Sequence, residues 1–205
     1  VARDSRAARV QQHTDGRAGR LPLACRLLIV LTAISSAIEF CLVYFGPQLL
    51  IHHGWTATAA STAMSANLAG ILAGRLLGAG LIRRPGRAGA LLHGSLALAL
   101  ASVVAFWLID QRIAAVMALF LTGTGIANLY PLALSLTLEA AEGQEDRANA
   151  RSQVVLGVLA AAFPFLLGSL ADHYGLIAGF ALEPVLIVLC FGLLLGAMRA
   201  RRQPT

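Results

Sequence analysis

From about residue 24 onward the chain reads as long apolar runs broken by short polar punctuation, without the strict apolar and polar alternation of a half-buried strand. Six runs stand out, at about 24–51, 57–82, 88–109, 112–138, 152–171 and 176–198. Each is near the roughly 20 residues that an α-helix needs to cross a bilayer. The pattern therefore predicts an all-α membrane protein with six transmembrane helices. The breaks carry turn formers or charge: His52-His53-Gly54-Trp55, Arg83-Arg84-Pro85-Gly86-Arg87, Asp110-Gln111, the polar run from Glu139 to Arg151, and Asp172-His173-Tyr174-Gly175.

Composition agrees with that pattern. The 205 residues are 58% hydrophobic and 13% charged, against about 45–50% apolar and about 25% charged in an ordinary soluble domain. The net charge of +6 does not point to nucleic acid, because the basic residues cap apolar runs and are not interleaved with aromatics on one face. All 16 basic residues are Arg, and their placement gives the orientation. Cytoplasmic loops retain positive charge during insertion, and alternate gaps hold 14 Arg on one side against Arg112 alone on the other, with Arg75 inside a span. Both termini are thus expected in the cytoplasm, and the protein in the plasma or inner membrane. Residues 1–22 read as an Arg-rich cytoplasmic linker or tail, 23–198 as the six-helix domain and 199–205 as a second cytoplasmic tail. Cys25, Cys41 and Cys190 show no ligand spacing and read as small buried hydrophobes.

Two stretches carry a resemblance. Gly70, Gly74, Arg75 and Gly78, followed by Arg83-Arg84-Pro85-Gly86-Arg87, resemble the Gly-rich, basic signature at the cytoplasmic end of the eighth helix of major facilitator superfamily transporters, with Ile82 or Arg83 where that signature has an acid. The stretch from Pro164 through Gly168 and Asp172 to Gly175 is similar to the end of the eleventh helix of that family and the outer turn after it. The resemblance implies the carboxy-terminal half of a twelve-helix transporter, with six helices in two inverted three-helix repeats. It also implies a small-molecule substrate held at the bilayer midplane against a missing amino-terminal six-helix half. Arg83 with Gly74 and Gly78 would then belong to a gating or structural element.

Within the spans, polar residues are the candidates for chemistry. Glu39 lies near the middle of the first, where an ionisable group costs about 2.5–3.5 kcal/mol on an insertion scale. Thr32, Ser35 and Glu39 recur at three- and four-residue steps, so they share a helix face that Gly46 continues. On a face lining a central cavity Glu39 could bind and release a proton or contact a cationic substrate; the structural alternative is a protonated Glu bonded to a neighbouring helix. Thr124, Asn128, Pro131 and Ser135 share a face of the fourth span, and Pro131 frees a backbone carbonyl one turn earlier. That face reads either as substrate surface or as interhelical hydrogen bonding. Asn67 and the Gly70, Gly74, Gly78 ladder have small-residue spacing suited to close packing. Arg75 reads as an interface anchor or as a gate contact to Glu139, Asp172 as a residue that caps or pins the outer turn, and Glu183, near the outer end of the sixth span, as a solvated residue or, in a minority reading, a substrate contact.

Other classes fare less well. His93-Gly94-Ser95 offers the residue types of a protease dyad, but neighbours on one helix do not face each other, and no GxSxG or HExxH motif is present. An enzyme is not expected, nor a cofactor. His52 and His53 lack a third ligand, so no metal site is expected. The alternative to a proton-coupled symporter or antiporter half is a self-contained six-helix protein, acting as a homodimeric half-transporter or a non-transporting scaffold. In that case a second copy replaces the missing half.

Overall fold

The structure is a computed structural model, and it describes residues 20–81 and 87–202. Arg83 and most of the Arg-rich segment at 1–22 lie outside the described residues. Within them every regular element is a helix: α1 (Leu23–His52), α2 (Ala57–Leu81), α3 (Ala88–Leu108), α4 (Arg112–Ile126), α5 (Leu129–Glu139), α6 (Glu145–Tyr174), α7 (Leu176–Phe180) and α8 (Leu182–Arg202). Helix is what runs this apolar require, since in hydrocarbon each backbone N–H and C=O must find its partner within the segment.

Two of the expected spans are divided, each for the same reason. Proline has no N–H and clashes with the carbonyl four residues back. Pro131 accordingly follows a break at Ala127-Asn128 between α4 and α5, and Pro184 follows one at Ala181 between α7 and α8. Pro47 and Pro164 instead sit inside the unbroken α1 and α6. The polar run after Glu139 is also shorter than its composition suggests, because α6 begins at Glu145 and not near 152. Glu145 and Asp146 occupy its first turn, where the helix dipole favours negative charge.

Five helical stretches among the described residues are long and apolar enough to cross a membrane: Leu23–His52, Ala88–Leu108, Arg112–Glu139, Glu145–Tyr174 and Leu176–Arg202. The expected sixth, α2, has the length at 25 residues but is not among the five. Its positions go to Ala, Gly, Ser and Thr, with Asn67 and Arg75 inside. That composition has a structural use described below.

Helix α1 is the centre of the bundle. It packs on α6, α8 and α5, and more lightly on α2. Most of its circumference is buried, from Ala24 to Leu50. A second group forms where α4 lies between α2 and α3, and α3 joins the groups through α5 and α8. At one end of the bundle the loops are tied by Trp107 Nε1 donating to Ile177 O (3.0 Å), by His53 Nδ1 3.4 Å from Asp110 Oδ1, and by Arg112 5.5 Å over the Trp55 ring. At the other end Arg201 pairs with Glu139 at 3.4 Å.

Candidate functional site

Along α1 one face changes character halfway. In the first half it is closed: Thr32 is fully buried, donating to Leu28 O (2.8 Å) with its Oγ1 3.3 Å from that of Thr137 on α5. Ser35 is buried too, and donates to Thr32 O at 2.8 Å. In the second half the helix opens. Phe40, Val43, Tyr44 and Gln48 are exposed along one stripe, and Glu39 lies half-buried at its edge. Glu39 has no hydrogen bond or ion pair among the described residues. The face expected to hold Thr32, Ser35, Glu39 and Gly46 together is therefore divided. α5 covers its first half, Gly46 is buried against the Met64 thioether of α2, and Glu39 alone borders open space.

One turn beyond Glu39, a groove of about 250 Å³ runs between α1 and α2, lined by Val43, Pro47, Ser61, Met64, Asn67 and Leu68. Its walls are mostly apolar. Asn67 is 1% exposed and donates through Nδ2 to Leu119 O at 3.3 Å, which leaves Oδ1 buried without a partner. Since the amide N–H must face the carbonyl, the unpaired atom is an acceptor.

Thr124 and Asn128 are placed elsewhere, where α2 and α4 approach to backbone contact. A Cβ on Gly70 would strike Phe120 O, one on Gly74 would lie 2.6 Å from Thr124 O, and one on Gly123 would strike Asn67 O. No larger residue fits at these positions, which explains the glycines at 70 and 74 of α2 and at 123 of α4. Across this contact Asn128 Nδ2 donates to Gly74 O (2.7 Å), and the Thr124 hydroxyl is placed to donate to Gly70 O (3.3 Å) or Phe120 O (3.0 Å). Gly78 leaves the room that the Asn128 amide occupies. Both polar residues also edge a cleft of about 240 Å³ whose lining comes from α2 to α5, with Ser95 and Leu98 among it. None of the lining of that cleft belongs to α1, and Glu39 is not part of it.

Of the two readings of Arg75, the gate contact is not made: Arg75 is exposed and does not reach Glu139, which pairs with Arg201. Two further expectations need correction. Asp172 is exposed and makes no side-chain hydrogen bond among the described residues; the turn after α6 is closed by Gly175, whose N–H donates to Ala171 O (2.9 Å) and whose φ of 88° suits glycine. Glu183, expected in solvent, is fully buried, and neither carboxylate oxygen has a partner. The cause lies just upstream, where Gly179 packs on Ala171 and the Phe180 ring meets Phe106 at 5.9 Å. The start of the last span is thereby drawn into the core, and Glu183 goes with it. The proline beside it marks a break but not its depth, so sequence offered no signal for this. Among the described residues no group of His, Cys, Asp and Glu could hold a metal ion.

The description "Major Facilitator Superfamily" belongs to the family model that matches residues 28–205. No curated protein matches the chain. Among solved structures, one described as the in meso crystal structure of the POT family transporter PepTSo superimposes with a TM-score of 0.73 at 14% identity, covering 88% of this chain and 38% of that one. At that identity the likeness is one of fold. The chain thus spans well under half the length of the structure it matches.

Proposed function

Because the chain belongs to the major facilitator superfamily, a family of multi-pass membrane transporters, we propose that it is the carboxy-terminal half of a secondary transporter, coupled to protons through Glu39. The family points to a transporter and away from an enzyme. The finer reading is that α1 to α8 make six membrane crossings in two inverted repeats, α2 being the sixth despite its small residues, with both termini in the cytoplasm. Two observations support it: 14 of 16 Arg fall in alternate gaps, and the matched transporter chain is more than twice as long as the region that this chain covers. A small solute would be held against the open stripe of α1 and exposed to each side in turn as the halves rock.

The carrying observation is Glu39, a half-buried carboxylate without a partner among the described residues, on the open side of the central helix. At the edge of the exposed stripe of α1, Glu39 is within reach of water and solute, as a coupling group must be when either side opens. The test is Glu39→Gln in the whole protein, reconstituted in vesicles. Uptake driven by a pH gradient is expected to fall at least about tenfold while solute exchange at equal pH persists, as expected when only the coupling group is removed. Unchanged gradient-driven uptake would refute the coupling role. Loss of exchange as well would assign Glu39 to substrate binding.

A further inference from the structure

The cleft edged by Thr124 and Asn128 is filled neither by the α2–α4 packing nor by α1. It exists because α4 lies between α2 and α3, which do not pack on one another. Gly74 on α2 and Gly94 on α3 put no side chain into it, and a Cβ added to Gly94 would meet nothing within 4 Å. The cleft faces away from the groove beside α1. Ser61 and Leu68 line that groove from one side of α2, whereas Leu77, which lines the cleft and is strongly exposed, stands about two and a half turns beyond Leu68. Groove and cleft thus open on opposite sides of α2, and the cleft is turned from the open stripe of α1 on which a missing half would sit. On such a side a membrane helix meets hydrocarbon.

Two polar atoms are left over in the cleft. Asn128 Nδ2 is spent on Gly74 O (2.7 Å), which leaves Oδ1 as an acceptor without a partner among the described residues. The Ser95 hydroxyl makes no bond among them either, although Thr32, Ser102 and Thr137 each donate theirs to a carbonyl four residues back. Both atoms keep accessible surface, unlike the sealed oxygens of Glu183. In hydrocarbon an unmade hydrogen bond is costly, so the pair calls for a partner.

The lining says what that partner is. No charged residue borders the cleft, so an ion would enter without a counter-charge. One free donor and one free acceptor suit a group that both accepts and donates, which is a hydroxyl. The rest of the wall includes Leu91, Leu98 and Leu132 and suits an alkyl chain better than waters, each of which needs two to four polar partners. At about 240 Å³ the cleft falls below the roughly 300–1,000 Å³ of drug-sized sites, so its ligand is small. Ser95 is about 10 Å along α3 from Ala88, within the ~15 Å of one leaflet's hydrocarbon, so the ligand arrives through the bilayer. We propose that this cleft binds a small neutral alcohol dissolved in the membrane, whose hydroxyl accepts from Ser95 and donates to Asn128 Oδ1 while its chain lies along Leu77 and Leu98.

The test is photolabelling of the whole protein in vesicles with a diazirine-bearing octanol, with insertion sites read by peptide mass spectrometry. Insertion is expected on the cleft residues of α2 and α3. Excess 1-octanol should remove it, and glycerol, which offers hydroxyls from water, should not. Ser95→Ala should weaken cleft labelling about two- to tenfold, the worth of one hydrogen bond. Gly94→Leu enters open space without a clash and should abolish it. Gly192→Leu also enters open space but lies outside the cleft, and should leave it unchanged. Thermal unfolding checks that all three variants fold. The proposal fails if either Ser95→Ala or Gly94→Leu labels as the unaltered protein does, or if Gly192→Leu lowers labelling equally. It also fails if a diazirine-bearing octane labels the cleft as well as the alcohol does, since the hydroxyl would then be unused. Displacement by glycerol would overturn it too, by marking a site for an aqueous solute.

Discussion

The α2–α4 contact and the second half of α1 both set polar side chains among apolar helices, and they treat them in opposite ways. In the first, Thr124 and Asn128 reach backbone carbonyls that Gly70 and Gly74 leave uncovered, and their donors are consumed by the packing. In the second, Glu39 borders an exposed stripe and is consumed by nothing among the described residues. The difference lies in what each helix faces. A helix pressed on a neighbour at backbone distance brings that neighbour's carbonyls within reach of its polar side chains, while a helix face with no neighbour packed on it has none to offer. Polar residues in the two regions look alike in sequence and differ in whether their bonds are already made.

Four substitutions probe that contrast. Gly70→Val should be the most damaging, since its Cβ would press on the Phe120 carbonyl, which is backbone and cannot move aside. We expect a loss of about 3 kcal/mol, read as a collapse of monodisperse protein in detergent. A normally folded Gly70→Val protein would show that the helices are further apart than described. Glu183→Met comes next and goes the other way. It replaces a buried carboxyl that lacks partners, so thermal unfolding should rise by an amount corresponding to about 1–2 kcal/mol. A fall would reveal that Glu183 makes a bond after all and would move that residue into the same class as Thr124 and Asn128.

Asn128→Ala removes the 2.7 Å bond to Gly74 O, and should cost roughly 0.6 kcal/mol, the usual size of such bonds in membranes, with an upper range of about 1.7. Transport should keep its pH dependence. If instead Asn128→Ala abolishes uptake at unchanged stability, the α2–α5 cleft is part of the solute path and the contrast with α1 breaks down. The smallest effect on the fold is expected from Glu39→Gln, within about 0.5 kcal/mol by thermal unfolding, as for a substitution away from any partner. Its consequence should appear only in coupling.

Much of the helix layout was legible along the chain, because runs of apolar residues and their breaks are local signals. α1 runs Leu23–His52 where the apolar run suggests 24–51, and α3 runs Ala88–Leu108 where it suggests 88–109. The break before Pro131 was legible only as a freed carbonyl within one span, since Pro47 and Pro164 sit inside unbroken helices and proline alone does not say which helix divides. The candidate site was legible only in part. Glu39 could be singled out because a carboxylate in an apolar run is conspicuous. Thr32 and Ser35 shared its face by periodicity, but periodicity cannot say that α5 covers that face in one half of α1 and leaves it in the other. Glu183 was misplaced because its depth depends on the Phe106–Phe180 contact, between residues far apart in the chain.

By itself, then, the sequence determined that this protein is helical and apolar, where most of its helices start and stop, and which residues carry charge inside them. Those properties follow from the cost of bare backbone and of ionised groups in hydrocarbon, paid residue by residue. Only the tertiary structure decided which polar groups are satisfied. It paired Glu139 with Arg201 and not Arg75, spent Thr124 and Asn128 on the carbonyls of α2, buried Glu183, and brought Ser95 and Asn128 to one cleft. Hydrogen bonds and clusters of that kind join residues that no local pattern relates, so they exist only once the helices have been placed against one another.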